Sequence, residues 1–128
     1  TRNTLTSHQG DPVAKTVANT MTAADLLSGL ITATPTATGA TAAYTLPTGT
    51  LMDAAGTFAV GDSFDWTIIN SALAAADTIT ITAGTDHTVV GVMTVPSLHA
   101  STGFLYGNAV RFRTRKTAAN TFVTYRLC

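Results

Sequence analysis

The 128-residue chain has room for one domain with a real core, and its 45% hydrophobic content excludes a disordered polypeptide. Charged residues make up 11% and the formal net charge is zero, a balance that leaves the surface short of mutual repulsion and favours association with copies or partners. Glu is absent while Thr and Ala dominate, which disfavours helix and favours strand.

Residues 1–20 read as an extended amino-terminal arm. They are polar, lack a period and are punctuated by Gly10-Asp11-Pro12. Arg2, Leu5, His8, Val13 and Lys15 are the arm side chains expected to touch a partner. Residues 21–128 read as a β-rich domain. Thr22 and Asp25 have capping-box spacing ahead of Leu26 and Leu27, so one short helical turn is expected, stopped at Gly29. Leu30 to Thr34 reads as a strand ending before Pro35. Thr36 to Thr41 is a connector, and Ala42 to Leu46 is a second strand closed by Pro47. Thr48 is placed to cap a short helix reaching Ala55, with Leu51 and Met52 buried.

Ser63 to Asn70 gives the clearest strand pattern: Phe64, Trp66 and Ile68 share one face, and Ser63, Asp65, Thr67 and Ile69 share the other. Further strands are expected over Thr78–Thr82, over Thr88–Val95 with Gly91 marking either a bulge or a division into two short strands, and over Gly103–Tyr106. Val110–Lys116 and Thr121–Arg126 complete the set. Seven to nine short strands at regular spacing, with little helix, predict an all-β fold: a compact antiparallel β-sandwich or small barrel. Strands do not alternate with helices, so a parallel α/β sheet is not expected.

Candidate chemistry is sparse. His8, His87 and His99 have no metal-ligand spacing, and the single cysteine, Cys128, excludes an internal disulfide. His87 follows Asp86, but no nucleophile elbow accompanies them, and a loop histidine bonded to backbone or facing solvent is the better account. No cofactor, metal site or catalytic residue is expected. No membrane span is visible, and the polar start, without an apolar leader, suits synthesis in the cytoplasm.

The one sharp polar feature is Arg111-Phe112-Arg113-Thr114-Arg115-Lys116. On a strand, Arg111, Arg113 and Arg115 line one face while Val110, Phe112 and Thr114 turn to the core. All seven acids are Asp and lie between Asp11 and Asp86, so the stripe has two protein destinations: Asp residues of a neighbouring strand or protomer, or an acidic patch on a larger partner. Nucleic acid is a third, opposed by zero net charge and by the lack of an aromatic stacking platform.

The segments Thr45-Leu46-Pro47-Thr48, Gly61-Asp62-Ser63-Phe64-Asp65-Trp66-Thr67-Ile68-Ile69-Asn70 and Thr80-Ile81-Thr82-Ala83-Gly84, with Arg113-Thr114-Arg115-Lys116-Thr117 and Tyr125-Arg126, resemble the pattern of capsid cement (decoration) proteins of tailed bacteriophages, including phages of cyanobacteria. The likeness runs from about Leu26 to Arg126. It implies a non-enzymatic virion protein, a homotrimer on the outer capsid surface, bound where subunits of the major capsid protein meet. A fibre, spike or receptor-binding module of a phage particle is the alternative, and a small hydrolase using His87 is a third.

Overall fold

The computed structural model describes residues 9–35, 42–74, 76–97 and 108–128. Among these the chain is β-rich. Its ten strands are β1 (Val13–Lys15), β2 (Asn19–Thr20), β3 (Leu30–Ala33), β4 (Ala42–Thr45), β5 (Ser63–Asn70), β6 (Ile79–Thr82), β7 (His87–Val90), β8 (Thr94–Val95), β9 (Ala109–Ala118) and β10 (Thr121–Arg126). The two short helices are α1 (Ala23–Leu27) and α2 (Gly49–Ala54). The strand expected over Gly103–Tyr106, the connector over Thr36–Thr41, and His8 and His99 lie outside the described residues.

Two sheets form, one of six strands in the order β1-β3-β5-β9-β10-β7 and one of four in the order β2-β4-β6-β8. They are mixed, which corrects the expectation of an antiparallel fold. The β1–β3, β3–β5, β2–β4, β4–β6 and β7–β10 pairs are parallel, and only β5–β9, β9–β10 and β6–β8 are antiparallel. The reason is how the chain travels. From β1 to β8 each strand enters the sheet its predecessor did not, and as far as β6 the strands two apart in sequence lie side by side and run the same way. A parallel pair needs a long crossover, usually a helix. Here the crossover is a strand of the other sheet, so the absence of strand–helix alternation did not forbid parallel pairing.

Both sheets feed one hydrophobic core. Ile31, Trp66, Ile68, Val110, Phe112 and Phe122 enter it from the larger sheet, and Tyr44, Ile79, Ile81 and Val95 from the smaller. The Trp66 ring stacks on Phe112 with centroids 4.7 Å apart, and Phe122 meets Phe58 edge-on at 5.5 Å. Such pairs add roughly 0.5–1.5 kcal/mol beyond the area they bury. Asn70, wholly buried at the end of β5, joins the two layers. Its side-chain N–H groups donate to the carbonyls of Asp77 and Val95, and its Oδ1 accepts from Ala72 N.

The helices follow their caps. In α1 the Thr22 hydroxyl accepts from Asp25 N and the Asp25 carboxylate accepts from Thr22 N; Gly29, at φ +85°, turns the chain into β3. In α2 Thr48 accepts from Leu51 N, and Met52 is buried. Leu51, expected inside, is 58% exposed, because a two-turn helix offers the core one side chain per turn. Gly49 opens α2 where the backbones of two loops converge, and a Cβ there would overlap the carbonyl oxygen of Asn120.

The expected arm is partly woven into the fold. Its second half supplies β1 at one edge of the larger sheet and β2 at one edge of the smaller, so three residues, 16–18, span the gap between the layers. Residues 1–8 lie outside the described residues.

Candidate functional site

β9 is an interior strand of the larger sheet, between β5 and β10. Its side chains alternate strictly up to Arg115: Val110, Phe112 and Thr114 are buried, and Arg111, Arg113 and Arg115 are exposed, as the sequence period required. Cross-strand partners point to the same side of a sheet, so the outward neighbours follow from the register. Arg113 lies between Asp65 of β5 and Tyr125 of β10, and Tyr125 lies beside Val90 of β7. Arg115 lies between Ser63 and Val123, and Val123 lies beside Thr88. Arg111 lies beside Thr67, and its carbonyl accepts from Leu127 N.

Asp65 is the hub of this face. Arg113 donates to it twice, Nε to Oδ1 at 2.7 Å and Nη2 to Oδ2 at 3.1 Å, while Arg111 Nη2 stands 3.3 Å from Oδ2. The Arg113 hydrogen bonds, aided by both guanidinium charges, hold the Asp65 carboxyl below the usual carboxylate range. The same contact holds Arg113 more firmly protonated. Arg115 has no ion pair among the described residues. One carboxylate therefore serves two guanidiniums, and the third, Arg115, stands beside them in the same row. Beside the arginines runs an uncharged column, Val123, Tyr125 and Leu127, flanked by the 51% exposed Val90.

Of the arm residues singled out from sequence, Val13 and Lys15 are engaged within the chain. Val13 packs against the core, and Lys15 Nζ sits 2.8 Å from Asp25 Oδ2. Burial pushes the Asp25 carboxyl up, and the hydrogen bonds from Lys15 and Thr22 more than reverse it. Arg2, Leu5 and His8 lie outside the described residues. Arg126 turns the other way from the stripe and donates to the carbonyls of Val92 and Thr94, pinning the β7–β8 turn.

His87 is not a loop histidine. It begins β7 and is fully buried. Its Nδ1 lies 2.8 Å from the Pro47 carbonyl, which can only accept, so Nδ1 carries the proton and Nε2 is the acceptor. Thr124 then donates to Nε2 at 2.7 Å, Thr114 donates to Thr124 at 2.8 Å, and Trp66 Nε1–H donates to Thr114 at 2.9 Å. This one-way chain crosses four adjacent strands on the core side of the sheet. Burial pushes the His87 imidazole below its usual value, against the opposing pull of the Pro47 carbonyl. Protonating Nε2 would also reverse both threonine hydroxyls and leave one without an acceptor. The signal for this network was legible in part: Thr114 and Thr124 are hydroxyls at core-facing positions of two strands.

Among the described residues no group of three or more His, Cys, Asp or Glu side chains could hold a metal ion, and no pocket opens. No helix among them is long and apolar enough to cross a membrane. Comparison with known protein families, with curated proteins and with solved structures finds no match.

Proposed function

We propose that the chain is a non-enzymatic structural protein of a virus particle, a cement or decoration protein that settles on the outer surface of an assembled tailed-phage head and ties neighbouring subunits of the major capsid protein together. The observation that carries this reading is the outward face of the larger sheet, where Arg111, Arg113 and Arg115 stand in a row with only two of them paired to Asp65, beside an uncharged column containing Tyr125. Arg and Tyr are enriched where proteins meet, and a broad sheet face suits docking. The ordered likeness of residues 26–126 to cement proteins points the same way. The two layers and their common core fit a flattened β-sandwich.

Binding only the assembled shell stabilises that shell by mass action. A homotrimer multiplies modest contacts into tight attachment, because the second and third sites bind at high effective concentration. Arg2, Leu5 and His8 serve as further contacts ahead of β1. The test is co-sedimentation of the purified chain with expanded, undecorated heads of the virus that encodes it. A mass measurement in solution accompanies it. Saturable binding by a trimer is expected; a micromolar monomer that stays in the supernatant overturns the reading.

A further inference from the structure

We propose that the Arg111–Arg113–Arg115 face receives an extended acidic segment of a partner protein, with carboxylates at alternate positions, laid along β9. This rests on the reading that the chain works by docking, and it names the chemistry of what is docked.

Three observations carry it. The first is charge. Three guanidiniums face outward and Asp65 is the one carboxylate in register with them, so the face keeps a positive surplus although the whole chain is formally neutral. Arg111 and Arg113 are about half exposed, 54% and 46% at the side chain, despite their contact with Asp65, and Arg115 is exposed without an ion pair among the described residues. The second is period. Alternate residues of a strand stand ~6.8 Å apart, so Arg111 to Arg115 spans ~13 Å in two equal steps. A second extended chain carries its own alternate side chains at that same repeat. The third is the surface beside the ladder. Val123, Tyr125, Leu127 and Val90 give the residues flanking such carboxylates an apolar place to rest.

A nucleic-acid backbone is the rival polyanion. Tyr125 is the lone aromatic side chain in register with the ladder, too little for base stacking.

The experiment uses the full chain and a synthetic seven-residue peptide with aspartate at alternate positions. Its all-asparagine counterpart and a single-stranded oligonucleotide of equal charge serve as controls, with anisotropy read at low and high salt. Expected is binding of the aspartate peptide alone, weakened by salt. Arg115→Gln should weaken it about two- to fivefold, the worth of one exposed ion pair. Asp65→Asn, which frees two guanidiniums, should tighten it by a similar factor. Equal binding of the asparagine peptide, preference for the oligonucleotide, or weaker binding by Asp65→Asn overturns the proposal. Both substitutions are at exposed positions, and circular dichroism checks that each variant is folded. If Arg111→Gln/Arg115→Gln still co-sediments with heads as the parent does, the acidic-segment proposal fails while the cement reading stands. If the peptide binds as expected but heads are ignored, the reverse holds.

Discussion

Mild acid should loosen this protein through one residue, His87. Below the ordinary imidazole value of 6.5 the unfolded chain takes up a proton at this position, while the folded chain, with His87 buried and Nε2 occupied by the Thr124 hydroxyl, resists it. The contribution is flat above that value and falls as the pH drops through it, by up to about 1.4 kcal/mol per pH unit for one proton. Between pH 7.5 and 5.0 the loss therefore reaches up to about 2 kcal/mol. At a urea slope of roughly 2 kcal/mol/M that moves the unfolding midpoint down by up to about 1 M. The carboxylates held below their ordinary 3.8, Asp25, Asp53 and Asp65, add their own losses at lower pH, as it falls from about 5 towards their folded values. The two windows are separable. The assay is urea unfolding of the parent and of His87→Asn at closely spaced pH. Taking the difference between the two proteins cancels any contribution from His8 and His99. His87→Asn should be less stable at neutral pH and lose less on acidification. Should the variant fail to fold, an NMR titration of the parent takes its place, with the His87 ring expected to stay neutral below its ordinary value. A ring that titrates near 6.5, or equal pH slopes for the two proteins, would refute the reasoning.

Other outcomes follow from the same geometry. Thr114→Val keeps the shape but leaves the Trp66 indole N–H without its acceptor, and should cost about 1–3 kcal/mol in chemical unfolding, with Thr114→Ser recovering most of it. Gly49→Ala sets a methyl group against the Asn120 carbonyl, a backbone atom that cannot swing aside; a loss of about 3 kcal/mol or more is expected by thermal or urea unfolding, and a near-neutral result would contradict that close approach. Asn70→Ala strips partners from the Asp77 and Val95 carbonyls and from Ala72 N, all at a buried site; it should destabilise by several times the effect of Ser63→Ala, an exposed polar-to-alanine control on the same strand.

The two long strands were the most legible part of the sequence. Residues 63–70 and 110–116 alternate so regularly that the Trp66 face and the arginine face could both be assigned, and the structure puts Asp65 directly opposite Arg113. Capping chemistry likewise located both helices. The break at Gly91 does separate two strands, at φ +104°. Strand direction was not legible. Period says which face of a strand is buried and nothing about which sheet it joins, so the alternation between layers that makes β1, β3 and β5 parallel left no mark. β1 and β2 are three and two residues long, too short for a pattern, and lie in a polar stretch that reads as unpaired. His87 was misread because it follows a turn residue, Asp86 at φ +55°, and a polar ring after a turn gives no hint that three other strands have built a hydrogen-bonded seat for it.

The path of the chain also bears on how the larger sheet closes during synthesis. β5 takes its second neighbour from β9, 48 residues further on at the Asp65–Arg113 pair, so the middle of the larger sheet stays open until that distant stretch arrives. β1 and β2, although earlier in the chain, have no surface to pair with until β3 and β4 are in place. Contacts this remote make for slow folding. A ribosome-bound fragment ending near residue 108 would expose β5 as a bare edge, and the closing hairpin of residues 109–126 is what seals it.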